Sequence, residues 1–101
     1  MIALLMSETD NVAVVVQDVK KNDEVTIKEQ KIPAREAIQK GHKIAVRPIQ
    51  KGEMVFKYGK IIGRASADIE AGQWVHCHNV DDITEQLRTE YAKSYRAKGS
   101  L

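Results

Sequence analysis

Ile38-Gln39-Lys40-Gly41-His42-Lys43-Ile44 has the form apolar, two residues, glycine, two residues, apolar. Ile49-Gln50-Lys51-Gly52-Glu53-Met54-Val55 and Ile69-Glu70-Ala71-Gly72-Gln73-Trp74-Val75 repeat it, and Val19-Lys20-Lys21-Asn22-Asp23-Glu24-Val25 repeats it with asparagine in the glycine position. The physical reading is a tight turn. Glycine accepts a positive φ without penalty, and asparagine tolerates it better than most residues. The flanking apolar residues plug into the core as the chain reverses. The copies are irregularly spaced, which argues against a stacked solenoid and for one turn type reused within a compact β fold.

Between these turns the segments are short. Ile2 to Leu5 reads as a first strand, followed by the polar turn Ser7-Glu8-Thr9-Asp10-Asn11. Val12-Ala13-Val14-Val15-Val16 is a β-branched run that suits a buried strand. Val25-Thr26-Ile27, Ile44-Ala45-Val46-Arg47 and Met54-Val55-Phe56-Lys57-Tyr58 read as further strands, the second ended by Pro48 and the third by Gly59. Pro33 to Ala37 reads either as one helical turn or as an extended edge. Ile61-Ile62 leads to a turn at Gly63, with Arg64-Ala65-Ser66-Ala67 beyond it. Many short strands punctuated by glycine predict a mainly β barrel or clip.

The pattern changes after Asn79. Asp81 or Asp82 can cap a helix, with Glu85 placed as in a capping box. Ile83, Leu87, Tyr91 and Tyr95 make one apolar stripe, and Glu85, Arg88, Glu90, Lys93 and Arg96 occupy the other faces. This predicts a C-terminal amphipathic α-helix of about four turns, packed back on the β domain or docked on a partner. The expected organisation is a β domain over 1–80 and a helix with its tail over 81–101.

The whole chain, at 101 residues, fits one domain with one modest core. A net charge of +2 and scattered cations argue against nucleic acid as a partner. Cys77 is the sole cysteine, so no internal disulfide can form, which fits a reducing compartment. Met1 to Met6 is too short for a signal sequence, and no apolar run approaches the roughly 20 residues of a spanning helix. The expectation is a soluble cytoplasmic protein without membrane contact.

All three histidines and the cysteine lie in Gly41-His42-Lys43-Ile44-Ala45 and Val75-His76-Cys77-His78-Asn79. In a strand His76 and His78 would share one face, with Cys77 on the other. Two such imidazoles can chelate a divalent metal or grip an anion, and equally they can be surface residues of no consequence. His42 follows the Gly41 turn at the mouth of the core, and Lys43 and Arg47 share a face suited to a carboxylate. Cys77 reads as a small buried hydrophobe rather than a nucleophile. Tyr58 reads as an acid, a hydrogen-bond donor or a packed aromatic, and Trp74 as core or interface. There is no glycine-rich phosphate loop, no Ser-His-Asp order and no CxxC. A complete active site is hard to assemble from so short a chain, which favours a binding module or a subunit.

Taken in order, Asp10-Asn11-Val12-Ala13-Val14, Lys40-Gly41-His42-Lys43-Ile44-Ala45, Ile49-Gln50-Lys51-Gly52, Lys57-Tyr58-Gly59, Ile62-Gly63, Asp68-Ile69-Glu70-Ala71-Gly72 and Val75-His76-Cys77-His78-Asn79 form a more specific signature. Together they resemble the N-terminal SAF-type domain of the altronate and D-galactarate dehydratase family, which has a β-clip fold. A separate chain of this kind resembles the small, or alpha, subunit of the family's two-chain lyases such as (2R)-sulfolactate sulfo-lyase. The resemblance implies a partner, a large catalytic subunit, and elimination of water or sulfite from a hydroxy acid or sugar acid. It also implies dependence on a divalent metal, iron above all, in the assembled enzyme, with the metal not necessarily bound by this chain. On that basis His42, His76 and His78 are candidate metal ligands or catalytic proton carriers. Tyr58 is a candidate catalytic donor, and Lys43 and Arg47 are candidate substrate contacts. A non-catalytic carboxylate-binding module is the second expectation, and a self-assembling structural protein a third. A homo-oligomer is left open.

Overall fold

The computed structural model describes residues 1–81. These carry nine strands: β1 (Ala3–Leu4), β2 (Val12–Val15), β3 (Glu24–Ile27), β4 (Gln30–Pro33), β5 (Lys43–Ala45), β6 (Met54–Lys57), β7 (Lys60–Ala65), β8 (Trp74–Val75) and β9 (Val80–Asp81). They pair antiparallel in three sheets of order β1-β2-β5-β8, β3-β4 and β6-β7-β9. The described residues are thus mainly β, as expected. The amphipathic segment from Ile83 onward lies outside them. Asp81 is a strand residue paired with Arg64.

The four-stranded sheet divides two apolar clusters. Side chains alternate across a strand, so its residues feed both. Ala13, Val15 and Ile44 join Val19, Val25, Ile27, Ile32, Ala34 and Ile38 beneath the β3–β4 hairpin. Val12, Ala45 and Val75 join Ile49, Val55, Ala65 and Ile69 beneath the β6–β7 hairpin. Val15, Val25, Ile44, Ala45, Val55 and Val75 are fully buried. The β-branched run of β2 reads as a buried strand because both of its faces meet core.

All four expected turns form. Asn22, Gly41, Gly52 and Gly72 take φ of 75°, 86°, 91° and 92°. In each turn the next amide closes on the carbonyl three residues before it, as Asp23 does on Lys20 and His42 on Gln39. The amide of the positive-φ residue itself donates to another segment: Asn22 to Ala34, Gly41 to Val15, Gly52 to Ala65 and Gly72 to Ala45. The turns also pair with each other, Val19 bridging Ile38 and Ile49 bridging Ile69.

These bonds expose a doubling of the chain that the irregular spacing of the turns conceals. Val15 and Ala45 each receive a bond from a turn glycine, as do Ala34 and Ala65 from the first turn of each half. Strand, turn, hairpin and turn follow in the same order twice, with β3–β4 matched by β6–β7. The hairpin tips match too: Lys28 and Tyr58 both adopt positive φ, 54° and 57°. A β-bulge between Val55 and Phe56 puts the second half out of step with the first.

Two segments depart from expectation. Gly63 does not turn the chain but lies within β7, buried, where a Cβ would collide with Val80 and the Asp81 carbonyl. Its role is to admit β9. Of the two readings for Pro33 to Ala37, the helical turn does not form and the extended one holds at Pro33, which ends β4, a strand whose polar, mostly exposed residues gave little signal.

Two buried polar residues fix the second hairpin. The Asp10 carboxylate accepts hydrogen bonds from the amides of Ser7, Tyr58 and Gly59 at 3.1, 2.9 and 2.7 Å. The Asn11 side chain accepts from the Phe56 amide and donates to the Met54 carbonyl, at 2.8 and 2.9 Å. Both residues are 1% exposed, and buried polar groups are tolerable only when bonded in this way. The hairpin tip, with Tyr58 and Gly59 both at positive φ, is held in a conformation that a non-glycine residue resists.

Candidate functional site

His42 and Lys43 leave the Gly41 turn and enter β5. Lys43 pairs with Val14 on one side and Val75 on the other, and Ile44 pairs with Trp74. This register sets His42 beside Trp74. The indole Nε1–H donates to His42 Nδ1 at 3.1 Å. The Trp74 amide donates to the Glu36 carboxylate at 3.1 Å, so the backbone carrying the indole is itself held.

His76-Cys77-His78-Asn79 is a turn, not the continuation of a strand. The cause is Asn79, 8% exposed, whose side-chain oxygen accepts from the His76 amide at 2.9 Å. Its side-chain nitrogen donates to the Trp74 carbonyl at 2.8 Å, and its amide donates to the His76 carbonyl at 3.1 Å. A side chain that closes on nearby backbone offers the chain an alternative to the ladder. The alternation expected for His76, Cys77 and His78 is lost, and Cys77 is exposed rather than buried.

The turn nevertheless brings the histidines together. His76 stacks on the Trp74 indole, with centroids 5.2 Å apart and planes 11° from parallel. His78 lies 4.7 Å from the indole centroid, and His42 lies 5.6 Å from it and 5.2 Å from His76. All three imidazoles therefore surround one indole. Trp74 is half core, packed against the first apolar cluster, and half the floor of this group.

The electrostatics are of one sign. Desolvation first, and then the charge of Lys57, hold the half-buried Lys43 amine below its ordinary value. Desolvation first, then Lys43, His42 and His78, lower the His76 imidazole. In both cases burial disfavours the charged form and the neighbouring bases add to it. The ion pairs among the described residues, Lys31 with Glu24 and Arg35 with Glu70, involve neither Lys43 nor Lys57. Such a surface favours an incoming anion.

The other expected site residues lie elsewhere. The Arg47 guanidinium donates to the Asp10 carbonyl at 3.3 Å, which ties it to the base of the second hairpin. Tyr58 is 59% exposed at the hairpin tip, with Lys57 Nζ 5.3 Å from its ring centroid. Lys57 is a residue that sequence reading missed, since only the folded hairpin carries its charge to Lys43. The reading of Trp74 as core or interface does not foresee its place among the histidines, and its position just before the last apolar residue of a turn copy is the one hint of more.

The family resemblance implies a divalent metal, and three histidines are its natural ligands. Among the described residues, however, no three His, Cys, Asp or Glu side chains are arranged to hold an ion. The Nδ1 lone pair of His42 is engaged by Trp74. A neutral imidazole has one lone pair and one N–H, so Nε2 then carries the proton. In this arrangement the three histidines do not form a ligand set.

Comparison with known proteins adds the following. Residues 1–83 match the family model described as the altronate/galactarate dehydratase SAF domain. Altronate dehydratase of Escherichia coli (strain K12) is 47% identical over 70 residues, which is 69% of this chain and 14% of that protein. The (2R)-sulfolactate sulfo-lyase subunit alpha of Chromohalobacter salexigens is 46% identical over 46 residues, 46% of this chain and 49% of that protein. The corresponding subunit of Paracoccus pantotrophus is 39% identical over 49 residues, 48% of this chain and 73% of that protein. The chain thus spans a small fraction of the altronate dehydratases and about half or more of the alpha subunits.

Proposed function

Because this chain belongs to the SAF-domain family of the altronate and galactarate dehydratases, we propose that it is the small subunit of a heteromeric lyase that eliminates water or sulfite from a hydroxy acid. The large subunit, on this reading, supplies most of the active site and any divalent metal, iron included. The present chain supplies one wall of it.

The observation that carries this reading is the gathering of Lys43, His42, His76 and His78 around Trp74, with Lys57 alongside. Elimination beside a carboxylate needs the carboxylate held, its α-proton made acidic and the developing negative charge stabilised. An ammonium without an anionic partner among the described residues suits the first task. Imidazole N–H groups suit the last. Lys43 is the carboxylate contact in this account, His76 and His78 flank the bound acid, and Tyr58 at the adjoining hairpin tip faces the partner. Arg47 holds the hairpin rather than the acid.

The test is reconstitution. The chain is mixed with the large dehydratase-type subunit expressed beside it, and release of water or sulfite from hydroxy acids is followed. Activity that needs both chains, and that falls about a hundredfold or more in Lys43→Met from loss of a charge-assisted contact of about 3 kcal/mol, supports the reading. Full activity of the large subunit alone would overturn it. Carboxylate binding by this chain with no effect on any lyase would favour the second reading, a binding module without catalysis.

A further inference from the structure

We propose that Trp74 is a positioning residue that fixes the proton of His42 on Nε2, so that His42 offers a ligand an N–H donor rather than a lone pair. The ligand would be an oxygen acceptor, the carboxylate or the developing enolate of a hydroxy acid. That last clause rests on the lyase reading, whereas the state of His42 does not.

The argument begins with what each ring can do. An indole nitrogen only donates. A group that receives its hydrogen must present a lone pair, and the atom receiving it is His42 Nδ1, 3.1 Å away. The alternative tautomer would set N–H against N–H at that distance. Contact with Trp74 therefore selects one of the two neutral tautomers, the one with Nε2–H.

The selection is effective only if the indole cannot swing away. Three features hold it. Its residue is a strand position, paired with Ile44 across β5 and β8. Its amide is bonded to Glu36 and its carbonyl to Asn79. Its faces are covered by His76, stacked at 11°, and by His78. His42 in turn leaves the Gly41 turn with its own amide bonded to Gln39, which fixes the backbone that carries its ring.

The consequence for chemistry is specific. A neutral imidazole that has only Nε2–H to give does not act as a base, and losing that proton would leave a costly imidazolate. What it does well is hydrogen-bond to an oxygen that is gaining negative charge. It also does not ligate a metal through Nε2 without breaking the Trp74 bond. His42 is thereby separated in role from His76 and His78, whose Nε2 and Nδ1 atoms make no comparable contact with an indole N–H.

Nitrogen-15 NMR on the full-length labelled chain, above the imidazole titration range, tests the proposal. The expected result is a His42 ring protonated on Nε2, with a scalar coupling across the hydrogen bond between Trp74 Nε1 and His42 Nδ1. Glycerate, added as a hydroxy-acid probe, should move the His42 Nε2–H resonance. Trp74→Phe keeps an aromatic ring for the imidazoles to stack on but removes the donor. In it, His42 should become a mixture of tautomers, and glycerate affinity should fall about fivefold, the value of one ordinary hydrogen bond. A wild-type His42 protonated on Nδ1 would overturn the proposal, and this decides the matter even if the variant fails to fold. Zinc that saturates His42 Nε2 while the Trp74 coupling persists would overturn it equally. Lyase activity is not the readout, so failure of the subunit reading and failure of this one are separable.

Discussion

His76 lies against an indole and among bases, so nothing near it welcomes a second proton. Desolvation, followed by Lys43, His42 and His78, lowers its pKa in the folded chain. In the unfolded chain these influences vanish, and an imidazole titrates near about 6.5. As pH falls through that value, the unfolded state takes up the proton first and the folded state loses stability. The loss continues until folded His76 is protonated too. Above that range neither state gains. Urea unfolding should therefore show wild type and His76→Gln differing by a constant at alkaline pH. The wild type should decline relative to the variant below about pH 6.5. Parallel curves at every pH would remove His76 from this account. A bound carboxylate reverses the field, so added acid should flatten the decline.

Turns are the elements whose strain is easiest to compare, since four of one kind occur side by side. Gly52 and Gly72 share a φ near 90°, yet a Cβ on Gly52 meets open space, whereas on Gly72 it meets the Pro33 carbonyl. Gly52→Ala should cost only the left-handed backbone penalty of about 1–2 kcal/mol. Gly72→Ala should add overpacking of a further 1–3 kcal/mol or so and disturb the bond from the Arg35 amide to the Gly72 carbonyl. Chemical denaturation of both variants measures the difference, and equal losses would show that the Pro33 contact yields easily. These turns were legible from sequence because glycine and asparagine have a backbone property that other residues lack. β2, β3, β5 and β6 were legible because apolar, β-branched residues mark them. β4 was not, since only Ile32 of its four residues is buried. The His76 turn was misread for a related reason: the deciding partner, Asn79, lies outside the strand pattern and acts through its side chain. Of the site, the histidines and Lys43 could be named beforehand. Their common centre at Trp74 could not, because it depends on β5 and β8 being paired.

At the scale of the molecule, two apolar clusters do not make two folding units. β2 and β5 line both, Ala13 and Ile44 facing one and Val12 and Ala45 the other. The halves are also bonded directly, Trp74 to Glu36 and Arg35 to Gly72. Removing either cluster would expose one face of the shared strands. Unfolding should accordingly be a single cooperative transition. Far-ultraviolet circular dichroism and hydrogen exchange of Val25 in one cluster and Val55 in the other should report the same midpoint. Two separated transitions would mean that the central sheet can serve one cluster without the other.

The doubling of strand, turn, hairpin and turn has a last consequence, for the chain's history and its use. A unit present twice can let one copy drift while the other maintains the architecture. The drift is visible at corresponding places. The tip of the second hairpin carries Lys57, Tyr58 and a backbone clamped by Asp10. The tip of the first carries Lys28 and Glu29, both exposed. The two tips thus share a backbone and differ in chemistry. The first tip, exposed, is where an engineer would splice a tag or a tether, leaving the second untouched.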